Sequence, residues 1–171
     1  MSAQVLERLV EETVALRRRV ARLETLEAAV HGQGCRVYNS AATTLGSNDT
    51  ATALSFNSER WDNDNCHSPT VNPTRLTCNT AGIYVITGSV VFAANASGYR
   101  FAGILLNSAT YIGSDRRSAT PTSSTVITVT AIYQLAAGDY VELRVAQTSG
   151  GNLDVMVVGN NSPEFAMIRV G

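Results

Sequence analysis

The stretch Thr125-Val126-Ile127-Thr128-Val129-Thr130-Ala131-Ile132-Tyr133-Gln134-Leu135-Ala136-Ala137-Gly138-Asp139-Tyr140-Val141-Glu142-Leu143-Arg144-Val145-Ala146-Gln147 decides the class of the fold. Thr125 to Leu135 is strongly β-branched, a composition that fits a pleated, half-buried surface. Ala136-Ala137-Gly138-Asp139 then reads as a tight turn. Beyond it Val141, Leu143 and Val145 alternate with Glu142 and Arg144, which predicts a strand with the apolar residues inward and the charged pair outward.

The same pattern extends in both directions. Ile83 to Ala94 reads as a long strand, apolar on both faces around Gly88, and Asn95 to Gly98 as a turn. Tyr99 to Leu106 is the next strand, Asn107 to Ile112 a turn with a short strand, and Ser114 to Ser124 a polar loop. Upstream, Cys35 to Ala41 and Arg75 to Cys78 read as strands, Thr52 to Phe56 could form another, and residues 57 to 73 read as a long irregular loop. Downstream, Leu153 to Val158 is a candidate strand and Phe165 to Val170 closes the chain. Many short strands separated by turns predict a β-sandwich or jelly roll over residues 35–171.

The N-terminus follows a different period. Leu9, Leu16, Leu23 and Val30 lie seven apart, with Leu6, Thr13 and Val20 three residues ahead of the first three. Such spacing makes a narrow apolar seam that one chain cannot bury alone. With Leu6 at position a, Glu12 and Arg19 fall at g and Arg17 and Glu24 at e. Glu12 then faces Arg17, and Arg19 faces Glu24, in a parallel neighbour. Arg19-Val20-Ala21-Arg22-Leu23-Glu24 also resembles the trimer-specifying pattern Arg-h-x-x-h-Glu, with h apolar. The expectation is a parallel three-stranded coiled coil over residues 1–31 that makes the chain a homotrimer, followed by a glycine hinge at 32–34.

Composition narrows the function. The chain has 171 residues and a net charge of -1, which argues against electrostatic capture of nucleic acid or anionic membrane. No apolar run reaches membrane length. Met1 leads directly into polar heptads with no secretory-signal pattern, so export through this N-terminus is not expected. The three cysteines, Cys35, Cys66 and Cys78, cannot all pair within one chain; Cys66–Cys78 is a possible bridge, and free buried thiols are the other reading. Their spacing is not that of a zinc site, and Asp62-Asn63-Asp64-Asn65 lacks the Gly and Glu of an EF-hand loop, so neither metal nor cofactor is expected. His31 and His67 are the two histidines. His67, near Asp62, Asp64, Cys66 and Ser68, lacks the strand-turn-helix support that a nucleophile needs. Trp61 is read as a core anchor under the long loop or an exposed recognition residue, with the core preferred.

Several segments together resemble one family. Arg75-Leu76-Thr77-Cys78-Asn79-Thr80-Ala81-Gly82-Ile83-Tyr84 is similar to a signature of complement C1q-like domains. Ala93, Asn95, Gly98 and Arg100, followed by Ile104 and Asn107, are similar to that family's next two strands. Leu135-Ala136-Ala137-Gly138-Asp139-Tyr140-Val141-Glu142-Leu143 resembles its Leu-x-x-Gly-Asp-x-Val-x-Leu turn, and Phe165-Ala166-Met167-Ile168 its last strand. The resemblance implies a C1q/TNF-like jelly-roll β-sandwich that forms compact trimers, here on a coiled-coil stalk in place of a collagen one.

With no catalytic constellation in view, a binding surface is the expected function. Alternating connections place the loops Asn95 to Gly98, Ser114 to Ser124 and Thr148 to Pro163 at the end far from the stalk. They present Asn95, Tyr99, Arg116, Arg117, Asn152, Asp154 and Asn160, groups suited to hydrogen-bonding sugar hydroxyls and covering sugar faces. The leading expectation is a non-enzymatic trimeric adhesin, the receptor-binding tip of a bacteriophage tail fibre or similar virion protein. It would be made in the cytoplasm, released by lysis, and directed to a host-surface receptor or glycan. A structural protein of a bacterial surface or spore coat is the alternative, and a trimeric hydrolase a further one.

Overall fold

The structure is a computed structural model that describes residues 3–30 and 32–170, without the side chains of residues 3 and 24–30. The seam residues Glu24 and Val30 therefore have side chains outside the described set, and His31 lies outside it altogether. The chain divides into two units, residues 1–33 and 34–171.

The first unit is the helix α1 (Ala3–Val30). Every side chain from Gln4 to Leu23 is exposed, and the seam leucines Leu16 and Leu23 are 58% and 62% accessible. The helix thus presents an apolar stripe with nothing of its own to bury it. Within one chain Glu12 reaches back to Arg8 at 3.4 Å, an i,i+4 pair on the surface. Thr13, the polar member of the seam, returns its hydroxyl to the Leu9 carbonyl at 2.7 Å. No helix among the described residues is long and apolar enough to cross a membrane.

The second unit is an antiparallel sandwich of twelve strands, β1 (Gly34–Tyr38), β2 (Thr43–Leu45), β3 (Thr52–Ala53), β4 (Ser58–Asp62), β5 (Arg75–Thr77), β6 (Gly82–Phe92), β7 (Tyr99–Leu106), β8 (Thr110–Ser118), β9 (Thr125–Leu135), β10 (Tyr140–Gln147), β11 (Leu153–Val155) and β12 (Glu164–Arg169). One sheet runs β2-β11-β6-β12-β1-β4, with β9 along the other edge of β6; the second runs β3-β10-β7-β8, with β5 also on β10. The jelly roll expected from the alternating strands is therefore the observed architecture. The turn at Ala136–Asp139 is a passage between layers: β9 pairs with β6 in one sheet, whereas β10 pairs with β7 in the other. Gly138 takes φ 93°, and the Asp139 carboxylate closes the turn on the Ala136 N–H at 2.8 Å.

The core lies between the layers. Phe56 and Phe165 stack there at 5.8 Å between ring centroids, both fully buried. Gly88 in the middle of β6 faces β10, and a Cβ at that position would stand 2.6 Å from Leu143 Cδ1. The missing side chain is what lets Leu143 seat against the opposite sheet.

Several expectations are corrected. Glu142 does alternate away from the core, yet it is 6% accessible, because Thr74 donates a hydrogen bond to it at 2.8 Å and Arg75 approaches at 3.8 Å. The segment read as a loop over 57–73 contains β4, a polar edge strand whose pairing with β1 is made by backbone, so hydrophobic alternation does not announce it. Trp61 lies on β4 and is 39% exposed; it is not a core anchor. Part of the expected loop Ser114–Ser124 is strand, since β8 continues to Ser118 on the edge of the second sheet. The short β2 at Thr43–Leu45 lies between the expected strands Cys35–Ala41 and Thr52–Phe56, and Gly34, expected in a hinge, already belongs to β1.

Gly88→Val is expected to destabilise the head by about 1–3 kcal/mol through overpacking against Leu143, and Leu143→Ala by about 2–5 kcal/mol. Because each relieves the other's fault, urea unfolding of the double variant should show a loss smaller than the sum of the two.

Candidate functional site

The strand register fixes which loops share an end. β6 ends, β7 begins, β8 ends and β9 begins at the end opposite Gly34, so residues 93–98, 119–124 and 148–152 gather there, while 78–81, 107–109 and 136–139 lie at the end where β1 starts. Between these ends, the outer face of the second sheet carries the most distinctive arrangement of side chains.

On β7, Tyr99, Phe101 and Gly103 alternate away from the core, and Phe101 stands opposite Arg116 of β8 in the register. The Arg116 guanidinium lies 4.2 Å over the Tyr99 ring and 5.8 Å from the Phe101 ring. Phe101 meets Tyr111 edge to face with centroids 5.5 Å apart. The two rings close over Gly103, where a Cβ would come within 2.8 Å of both. Tyr99 donates its hydroxyl to the Asp49 carboxylate, on the loop after β2. The result is a ladder of ring, guanidinium, ring and ring, with a carboxylate at its head and Tyr111 43% exposed at its foot. Aromatic rings at a surface offer a face for stacking, and Arg N–H groups and carboxylate oxygens are hydrogen-bonding groups for hydroxyls.

Of the seven expected site residues, the structure brings Tyr99 and Arg116 together here. The other five serve elsewhere. Arg117 turns from the ladder to Asp115 at 2.7 Å and the Val126 carbonyl at 2.9 Å. Asn95 shapes its own loop by accepting from the Ser97 N–H at 2.8 Å, and its carbonyl takes one hydrogen bond from Arg100. Asp154 accepts from the Thr44 hydroxyl at 2.6 Å, across β11 and β2. Asn152 is exposed on the loop after β10. Asn160 lies in the turn before β12, beside the other sheet, in a cavity with Arg36, Thr87, Ser89, Asn161 and Glu164, where its carbonyl accepts from Arg36 at 2.8 Å. Asp49, Phe101 and Tyr111 were not expected in the site. The period-two signal for Phe101 was present, two residues beyond Tyr99, but Asp49 is joined only through tertiary contact.

Arg100 points the opposite way from its neighbours. It is fully buried, and its guanidinium donates to the carbonyls of Ser97, Tyr99 and Asn95 at 3.0, 3.0 and 3.2 Å. Burial lowers its pKa from the ordinary value, and the three carbonyls take up its terminal N–H groups, while Nε is buried with no hydrogen-bond partner. It thus holds the 95–99 segment that leads into the ladder.

At the other end of the sandwich, Cys35, Asp62 and Cys66 place a thiol, a carboxylate and a thiol within 4.8 Å of one another. These three are the described residues best placed to hold a soft cation. The fit is poor: the Asp62 carboxylate already accepts from the N–H groups of Asp64, Cys66 and His67 at 3.2, 3.0 and 2.9 Å. All three cysteines are free thiols, so the possible Cys66–Cys78 bridge is not formed, and Cys78 gives its S–H to the Thr80 carbonyl at 3.2 Å. The Cys66 side chain and burial push the Cys35 thiol far up, and burial raises Cys78 and Tyr84. His67 contacts Glu59 at 2.9 Å and the Pro73 carbonyl at 3.4 Å, and the Ser68 hydroxyl is engaged with Thr70 instead. That arrangement supplies no positioned nucleophile.

The head is a jelly roll of the TNF/C1q-like class. No protein-family model matches the chain, and no curated protein matches it in sequence. Among solved structures it is similar to murine APRIL, with TM-score 0.60 and 8% identity over 81% of this chain and 98% of that one. It is likewise similar to the globular domain of zebrafish complement 1qA protein (TM-score 0.56, 14% identity, 81% and 98% covered). A third is the Eiger TNF of S. frugiperda (TM-score 0.60, 11% identity, 82% and 93% covered). At these identities the likeness is one of fold.

The buried thiols and Tyr84 make stability sensitive to alkali. A group whose folded pKa is raised keeps its proton after the unfolded chain has lost it, so its contribution is complete below the unfolded value and falls away above it. For Cys35 and Cys78 that value is 9.0 and for Tyr84 10.0. Melting temperature is therefore expected to fall as pH rises above about 9, and Cys35→Ala should flatten that fall in thermal melts run between neutral and alkaline pH.

Proposed function

We propose that this chain is a homotrimeric, non-enzymatic binding protein, the receptor-binding tip of a bacteriophage tail fibre or similar virion protein that recognises a host-surface glycan. The surface ladder of Tyr99, Arg116, Phe101 and Tyr111, with Arg116 and Tyr111 exposed and the other two rings half-buried, carries the reading. Its flat rings suit the C–H face of a sugar, and Arg116 and Asp49 offer donors and acceptors for hydroxyls. Heads of this fold are in general trimeric receptor-binding domains, which supports display of three such ladders together. The unburied seam from Leu6 to Leu23 supports the same assembly through a parallel coiled coil over residues 1–31. Threefold display turns weak contacts, typical of sugar recognition on open surfaces, into useful avidity.

Two measurements test this. Light scattering at micromolar concentration is expected to give three times the mass of one chain, and Leu16→Asp to weaken assembly; a monomeric wild type would sink the trimer. Labelled protein is expected to bind intact host cells or a glycan array. Arg116→Ala and Tyr111→Ala should each lower that binding roughly tenfold or more, given the contribution of an aromatic or cationic anchor. Asn152→Ala, on the exposed loop outside the ladder, should leave it unchanged, and equal binding by all three variants would remove the ladder from the site.

A further inference from the structure

The register of β1 against β4 sets Cys35 opposite Asp62, and the Asp62 carboxylate then captures the N–H groups of Cys66 and His67 at 3.0 and 2.9 Å. This folds the segment after β4 back over β1 and brings the Cys66 thiol onto Cys35, with the two sulfur atoms and the carboxylate within 4.8 Å. Both cysteines are buried, at 0% and 2% accessibility. Cys78 is drawn away, its thiol committed to Thr80 in its own turn. From this geometry we infer that Cys35 and Cys66 are a dithiol that closes to an intrachain disulfide when the protein meets an oxidant of the disulfide class, stapling the 63–74 segment to β1.

The two partners have different parts in the exchange. Cys35 is in β1, hydrogen-bonded between β12 and β4, whereas Cys66 sits on the irregular segment and is freed when that segment opens. On opening, the Cys66 thiol loses its proton to water and its thiolate attacks one sulfur of oxidised glutathione. That breaks the glutathione S–S bond and expels one glutathione thiolate. While the segment is still open, the expelled glutathione thiolate takes the proton of the Cys35 thiol. The Cys35 thiolate then attacks Cys66 sulfur in the mixed disulfide, forming the Cys35–Cys66 bond and expelling the second glutathione as a thiolate that is protonated from water. The cysteine pair gives up two electrons, glutathione gains them, and the two protons end on the released glutathione thiols. Burial of both thiols in the closed state makes opening the slow step, so the reduced head resists brief exposure and oxidises over long exposure.

The test incubates the full-length protein with oxidised glutathione, both folded and during refolding, followed by peptide mapping and thiol titration in denaturant. The expected result is a Cys35–Cys66 linked peptide, one remaining titratable thiol at Cys78, and a melting temperature raised by roughly 5–10 °C. Cys35→Ser is expected to accumulate glutathione on Cys66, and Cys78→Ser to form the bridge as the wild type does. Should a serine variant fail to fold, the wild-type peptide map decides alone. Three titratable thiols after oxidative refolding, a Cys66–Cys78 link, or protection of Cys35 and Cys66 by one equivalent of zinc would each overturn the inference.

Discussion

The head depends on the contact between Leu143 of β10 and the bare backbone of Gly88 in β6. β6 is the hub of its sheet, paired along one edge with β9 and along the other with β12 and β11. β10 holds the same position in the second sheet, between β7 and the short strands β5 and β3. Where these two central strands face each other, one side chain fills space that two would dispute, and close packing tolerates no more. With the hubs seated, the pairings outward from them set which loops share an end and which residues share a face.

Two arginines of adjoining register rows show how that framework assigns chemistry. Arg100 and Arg116 belong to paired strands, one residue out of phase. Arg100 alternates inward and spends its donors on three loop carbonyls, while Arg116 alternates outward and lies against aromatic rings. The first cation holds the loop that leads into the ladder, and the second lies exposed over the Tyr99 ring. Pleating alone separates these roles.

Most of the strand pattern was legible because one face of each long strand is buried, and burial selects residues with period two. β7 blurs that signature, with Arg100 buried and Phe101 half-buried, whereas β10 carries it in Val141, Leu143 and Val145. β4 and the end of β8 do not: they are edge strands held by backbone pairing, and their side chains are mostly exposed, so nothing in Ser58-Glu59-Arg60-Trp61-Asp62 or Arg116-Arg117-Ser118 had to alternate. The candidate site was half legible for a related reason. Polar and aromatic residues near one end of the sandwich could be picked out, but Asp154 and Asn160 are engaged with Thr44 and Arg36, remote in the chain, and Arg117 turns to its near neighbours Asp115 and Val126.

What the residues determined by themselves is whatever depends on neighbours along the chain: the heptad seam of the N-terminal helix, the alternation of the long strands, and the turn that Gly138 and Asp139 impose. Periodicity and turn geometry are local, so they can be read locally. Only the tertiary structure decided which residues meet across the fold. It covered Glu142 with Thr74 and Arg75, brought Cys66 to Cys35 instead of Cys78, and joined Asp49 to the ladder on β7 and β8. Those contacts follow from strand register and from the packing of two sheets, and both are properties of the whole chain.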